Sequence, residues 1–187
     1  MPSTVKVTRG ELAYDVEGTG PSACLIHQYR EVTAKGPLAN ALTPHFRLHA
    51  INPVGLGGSS APRESHDLTM ESFADDLEDF RYRLDLPPWV VVGSSTGGMV
   101  ALLHALRHPK AVRGLVLIGS AASRQFITGS LADPAHPRAA EVAAARTSAA
   151  QGAEGMAAFR TAMFRLSVAD PHRTPEPPEG EDGHNSA

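Results

Sequence analysis

The chain is 42% hydrophobic and 20% charged, which is enough apolar material for one packed core. Its 187 residues are too few for two large domains. Its formal net charge of -3 provides no surplus of positive charge to neutralise a phosphate backbone, which argues against nucleic acid as a main partner. No apolar run has the length of a membrane span or the form of a signal peptide, so we expect a cytoplasmic protein with no membrane partner.

The first predicted elements are two short antiparallel strands. Apolar and polar residues alternate over 5–7 and again over 12–16, with Gly10 in the turn between them. Further along, apolar residues form short continuous runs, which are typical of parallel strands covered on both faces. These runs lie at 23–27, 46–51, 89–92 and 115–118. Cys24 lies in the first of them, where we expect a small buried hydrophobe.

Helical spacing of apolar residues separates these strands, over 34–42, 70–84 and 98–107. Alternation of strands and helices predicts an α/β fold with a mostly parallel sheet. Two alanine-rich helices are predicted at 139–150 and 152–166. The stretch 171–187 has no Val, Ile, Leu, Met or aromatic residue, so we expect it to be disordered.

A cluster of small residues, GSSTG at 93–97, joins the run at 89–92 to its helix. The spacing is Gly-x-Ser-x-Gly between a strand and a helix. A nucleophile on so sharp a turn strains its own backbone and brings the positions two before and two after it almost into contact, which Gly93 and Gly97 permit. The hydroxyl of Ser95 would then lie beside unpaired N–H groups at the helix start, which favour a developing oxyanion.

Other interpretations of the cluster are weaker or carry no chemistry. A phosphate-binding loop requires a Lys followed by Ser or Thr, whereas Met99 follows Gly98. A dinucleotide-binding loop requires Gly-x-Gly-x-x-Gly, which is absent here. A glycine-rich helix start without a chemical role remains open. No spacing of His and Cys indicates a zinc site, and we expect no cofactor.

From about residue 12 to about residue 122 the chain resembles the α/β-hydrolase superfamily. Leu25-Ile26-His27 is similar to the strand and histidine that open the family's oxyanion loop, although Gln28 stands where the family has glycine. Residues 52–59 resemble the family's Gly-x-Gly-x-Ser loop, and 93–97 resemble its nucleophile elbow. The Asn-Pro pair at 52–53 resembles prolyl aminopeptidases in particular.

This resemblance implies a serine hydrolase that acts on an ester, amide or peptide-like acyl substrate, with Ser95 as the nucleophile. It implies that the backbone N–H groups of Thr96 and Tyr29 hold the oxyanion. His184 resembles the family's catalytic base, but no strand precedes it. Asp133 follows the sixth strand, where some members keep the acid, but it also fits the start of a turn. Surface or half-buried polar roles account for the other candidate histidines, at positions 45, 49, 104, 108, 136 and 172.

Family members continue past the sixth strand through a helical cap and two further strands. Here we expect an α/β-hydrolase core at 1–122 without those last two strands, a partial helical cap at 123–168 and a disordered polar tail at 169–187. The sixth strand would then be an apolar edge, which favours a homodimer. We expect weak turnover or none, and the alternative is a non-catalytic binding or assembly protein on the same scaffold.

Overall fold

The computed structural model describes residues 2–123, 125, 128–130, 133–149 and 152–167. The tail predicted at 169–187, including His184, lies outside the described residues. The chain divides into two compact units, one ending at Ala122 and the other beginning at Ser123.

The first unit contains a six-stranded sheet. Its strands are β1 (Ser3–Val7), β2 (Gly10–Glu17), β3 (Ser22–Ile26), β4 (Arg47–Ile51), β5 (Trp89–Ser94) and β6 (Val112–Ile118). In space they follow the order β1-β2-β4-β3-β5-β6. Strand β2 is antiparallel to both β1 and β4, whereas β4, β3, β5 and β6 run parallel to one another. The predicted α/β fold with a mostly parallel sheet is therefore confirmed.

Three helices of the first unit connect these strands: α1 (Pro37–Leu42), α2 (Met70–Arg83) and α3 (Thr96–Arg107). Helix α1 begins at Pro37 and not at 34 as predicted, because Gly36 has a φ of 114° and proline suits the first helical position. Helix α2 begins after Thr69, whose hydroxyl accepts a hydrogen bond from the Ser72 N–H at 3.2 Å.

The main core lies between the sheet and helices α2 and α3. Trp89 on β5 and Phe80 on α2 are fully buried, and their rings stack with centroids 6.1 Å apart. The indole N–H of Trp89 donates to Nε2 of His104 at 3.3 Å, while Nδ1 of His104 lies 3.0 Å from the carbonyl of Ala74. The ring proton of His104 is therefore on Nδ1, and burial lowers the pKa of this histidine, so it stays neutral.

The second unit contains helices α4 (Ala139–Ala149) and α5 (Gly152–Ser167), which pack against each other. They lie where the alanine-rich pattern predicts helices. Helix α5 has Glu154 in its first turn and Arg165 in its last turn, which complements the helix dipole. Among the described residues, no helix is both long and apolar enough to span a membrane.

Candidate active site

Ser95 occupies the turn between the end of β5 and the start of α3. Its backbone has a φ of 51° and a ψ of -123°, a combination that residues other than glycine rarely adopt. Such a conformation costs about 1–3 kcal/mol and persists only where surrounding contacts enforce it. The residue is exposed to solvent. A strained, exposed serine at the carboxyl end of an interior parallel strand is the geometry that a nucleophile requires in this type of sheet.

Close backbone contacts explain the glycines on either side of Ser95. A Cβ atom at Gly93 would overlap the carbonyl of Gly97 and lie 2.6 Å from the backbone nitrogen of Gly98. A Cβ atom at Gly97 would overlap the carbonyl oxygen of Ile26 and lie 2.8 Å from the Cα of His27. The first turn of α3 therefore packs directly on the backbone at the end of β3.

Hydrogen bonds from the end of β6 and from the first turn of α3 hold the backbone of Ser95 on both sides. Its N–H donates to the carbonyl of Ile118 at 2.9 Å. Its carbonyl accepts from the Ser120 hydroxyl at 2.8 Å and from the Gly98 N–H at 3.0 Å. The sequence analysis did not identify Ser120, because no motif marks it, and only pairing of β5 with β6 brings it to the elbow.

The loop after β3 contains the second predicted oxyanion donor. The Tyr29 N–H donates to Nδ1 of His27 at 3.1 Å, so it is directed at a ring of its own loop. Burial, with a further contribution from the charge of Arg30, lowers the pKa of His27, so the ring remains a neutral acceptor. The Tyr29 N–H can reach a substrate only after this hydrogen bond opens, whereas the Thr96 N–H lies at the helix start.

Two side chains fix the position of that loop. Gln28 is buried, and its side-chain N–H donates to the carbonyl of Leu68 at 2.8 Å. Asn52 accepts a hydrogen bond from the Val32 N–H at 2.7 Å and donates one to the Val32 carbonyl at 3.1 Å. A Cβ atom at Gly57 would lie 2.5 Å from the Asn52 side chain, so the glycine-rich loop packs on the same asparagine. Asn52 thus joins the two loops at this edge of the sheet.

No histidine among the described residues hydrogen-bonds the Ser95 hydroxyl. His49 and His104 are buried in the core, and the prediction of surface or half-buried roles for these two is wrong. Nδ1 of His49 lies 3.2 Å from the carbonyl of Ala23, which satisfies a ring that the sheet covers. The candidate base His184 lies outside the described residues.

Asp133 belongs to the second unit, where its carboxylate stabilises a turn. It accepts hydrogen bonds from the Gly129 N–H at 2.6 Å and from the Ala135 N–H at 2.9 Å. These backbone hydrogen bonds lower the pKa of Asp133, so the carboxyl is ionised at neutral pH. This is the arrangement that the turn interpretation of Asp133 predicts.

Comparison with known proteins relates the chain to enzymes of several activities. A 1-acylglycerol-3-phosphate O-acyltransferase of Arabidopsis thaliana is 34% identical over 116 residues, which cover 59% of this chain and 27% of that protein. Bifunctional epoxide hydrolase 2 of Rattus norvegicus is 30% identical over 105 residues, covering 55% of this chain and 19% of that protein. The chain therefore matches less than a third of the length of either relative.

The fold has a close counterpart among solved structures. An alpha/beta fold family hydrolase from Bacillus anthracis str. Sterne superposes with a TM-score of 0.82 at 23% identity, covering 92% of this chain and 64% of that chain. The family model of the alpha/beta hydrolase fold matches residues 25–181. Since that match includes most of the chain, the protein belongs to the α/β-hydrolase fold family.

Proposed function

We propose that the chain is a serine hydrolase in which Ser95 attacks the carbonyl carbon of an ester, amide or peptide-like acyl substrate. The observation that carries the proposal is the conformation of Ser95, which is strained and exposed between β5 and α3. Membership in a family that consists mostly of enzymes supports it. The relatives named above give no support to an aminopeptidase-like substrate, so the proposal is confined to the acyl class.

In the proposed reaction, Oγ of Ser95 bonds to the carbonyl carbon while its proton passes to a base. The carbonyl oxygen becomes an oxyanion, which accepts hydrogen bonds from the Thr96 N–H and, after the loop opens, from the Tyr29 N–H. Collapse of this intermediate expels the alcohol or amine, which takes the proton from the base. Water then hydrolyses the acyl-enzyme by the same route and restores the serine.

His184 remains the proposed base on resemblance alone, and the turn around Asp133 weakens the proposal that it is the acid. A serine without a positioned base is a poor nucleophile at neutral pH, so we expect slow turnover from the chain by itself. An oxyanion site and substrate binding still accelerate such reactions by about a thousandfold over water.

Labelling with a fluorophosphonate probe tests the proposal, because the probe forms a covalent bond only with an activated serine. We expect the wild-type protein to be labelled, slowly because no described histidine hydrogen-bonds Ser95, and the Ser95→Ala variant to lose all labelling. Ser94→Ala is the matched control, since Ser94 precedes the elbow on β5 and should leave the labelling rate within about threefold. A folded wild-type protein that does not react, or a Ser95→Ala variant that reacts equally, would contradict a serine hydrolase.

The exposed edge of the sheet favours a second candidate function, a binding or assembly protein on the same scaffold. Strand β6 is the last strand in the sheet order. Its residues Val116, Leu117 and Ile118 are 40%, 45% and 40% exposed. An apolar edge with unpaired N–H and C=O groups pairs readily with another strand. We propose a second copy of the chain as that partner, because antiparallel pairing of two β6 strands buries the same apolar residues on both copies.

The predicted homodimer can be tested by light scattering after size exclusion. We expect wild-type protein at about twice its chain mass of 19.7 kDa and the Leu117→Lys variant at the monomer mass, since a lysine on an edge strand prevents pairing. Leu106→Lys is the control, because Leu106 is 71% exposed on helix α3 and takes no part in strand pairing. A monomeric wild-type protein contradicts this second candidate.

A further inference from the structure

The oxyanion donor of the proposed reaction shares a peptide group with the carbonyl of Ser95. A trans peptide is planar, so its C=O and N–H bonds point in opposite directions. Any contact that fixes the direction of the Ser95 carbonyl therefore also fixes the direction of the Thr96 N–H. This matters at the elbow because the backbone of Ser95 is strained, and relaxation of that strain would rotate the peptide group.

The Ser120 hydroxyl is the side-chain group that holds this carbonyl, at 2.8 Å. The Gly98 N–H donates to the same oxygen at 3.0 Å. Ser120 lies against the first turn of α3, where a Cβ atom at Gly98 would overlap the Ser120 side chain. The missing side chain at Gly98 thus leaves room for Ser120, which explains a second glycine directly after the Gly-x-Ser-x-Gly pattern.

We propose that Ser120 is a positioning residue of the oxyanion site, whose hydroxyl aims the Thr96 N–H by holding the carbonyl of Ser95. This inference rests on the proposed function of Ser95. The hydrogen bond from Ser120 has a second effect, because a peptide carbonyl that accepts a hydrogen bond makes the N–H of the same peptide group a stronger donor. Ser120 thereby stabilises the oxyanion without touching the substrate.

Two measurements on the Ser120→Ala variant test this role. The first is the rate of phosphonylation by a fluorophosphonate, whose transition state carries a developing oxyanion. Loss of an oxyanion donor costs a hundredfold to a thousandfold in rate. We expect about a tenfold loss, because the donor is misdirected but present and the Gly98 N–H still holds the carbonyl. The second is the ¹⁵N amide shift of Thr96, which responds to hydrogen bonding at the preceding carbonyl and should change in this variant.

Three further variants separate positioning from general stabilisation. Ser120→Thr keeps the hydroxyl, so it should restore both the rate, to within about twofold, and the amide shift. Ser60→Ala is the matched control, since the Ser60 hydroxyl also bonds to backbone, accepting from the Glu11 N–H at 2.8 Å, away from the elbow. It should change neither the rate nor the shift. Ser120→Cys keeps the volume and weakens the donor, and it replaces Ser120→Ala if that variant does not fold.

The outcomes distinguish the two proposals. The role of Ser120 would be overturned if folded Ser120→Ala, or Ser120→Cys in its place, kept both the wild-type labelling rate and the wild-type Thr96 amide shift. That result would stand even if Ser95 is the nucleophile. Absence of labelling in wild-type protein contradicts the proposed function instead. In that case the Thr96 amide shift alone still decides whether Ser120 holds the peptide group.

Discussion

Substitution of Gly97 by alanine is expected to lower the free energy of unfolding by about 3 kcal/mol and to abolish fluorophosphonate labelling. The added Cβ would overlap the carbonyl of Ile26 and lie 2.8 Å from the Cα of His27. Both obstructing groups are backbone atoms at the end of β3, which pairs with strands on both sides and cannot move away. Urea unfolding followed by circular dichroism measures the stability, and labelling measures the site.

Gly114→Ala is the matched control for this substitution. Gly114 lies within β6, and a Cβ atom there would meet Val90 at 3.5 Å, an ordinary van der Waals distance. Because glycine weakens a strand interior, we expect this variant to be unchanged or stabilised by up to about 1 kcal/mol. If Gly97→Ala unfolded at the same urea concentration as Gly114→Ala, the stability of the fold would not depend on the close approach of α3 to β3.

A buried ion pair is the basis of the second large effect. Nε of Arg9, in the turn between β1 and β2, lies 3.0 Å from Oδ1 of Asp76 on α2. The Asp76 side chain is 2% exposed, and an Arg9 N–H also donates to the Ser72 carbonyl at 2.6 Å. Burial raises the pKa of Asp76 to about 6, although the charge of Arg9 opposes that rise. The ion pair thus joins the β1–β2 turn to α2, and it does so although burial of the Asp76 carboxylate is itself unfavourable.

We expect Arg9→Ala to lower the free energy of unfolding at pH 7.5 by about 3 kcal/mol, because it leaves the charge of Asp76 buried without its partner. The loss should shrink towards pH 5, where Asp76 is protonated and no longer needs a cation. In the wild-type protein the folded pKa lies above the ordinary value of 3.8. The contribution of Asp76 to stability therefore falls as pH rises from about 4 to about 6.

Urea unfolding of both proteins between pH 4.5 and 8 would check this expectation. Arg83→Ala provides the control, since Arg83 pairs with Asp79 on the same helix but is 47% exposed, and such pairs contribute less than about 1 kcal/mol. In an Asp76→Asn background, Arg9→Ala should have a much smaller effect. A loss that is independent of pH, or equal in that background, would show that Arg9 acts through packing alone.

The sequence was sufficient to predict the sheet because its parallel strands are short apolar runs of the expected length. Strand β6 was predicted to begin at 115 but begins at Val112, since Arg113 and Gly114 interrupt the apolar pattern while the backbone still pairs with β5. Periodicity reports which side chains are buried, and backbone pairing continues beyond them. The start of α1 was misplaced for a related reason, as apolar spacing does not reveal the conformation of Gly36.

The elbow was predictable because its glycines are adjacent in sequence and the steric demand is local. The contacts that complete the site were not, because they join residues far apart in the chain. Ser120 reaches Ser95, and Asn52 reaches Val32, only after the strands have paired. The buried position of His104 was also missed. A histidine in a helical pattern is predicted to be exposed, because the sequence does not show that its ring accepts a hydrogen bond from the Trp89 indole N–H.

The position of Trp89 makes the first unit observable by intrinsic fluorescence. It is the single tryptophan of the chain, and it begins the strand that leads to Ser95. Its indole emission therefore reports the core between β5 and α2 in the first unit, whereas far-ultraviolet circular dichroism records helices of both units. Comparing the two signals during unfolding reveals whether α4 and α5 melt together with the sheet or independently of it.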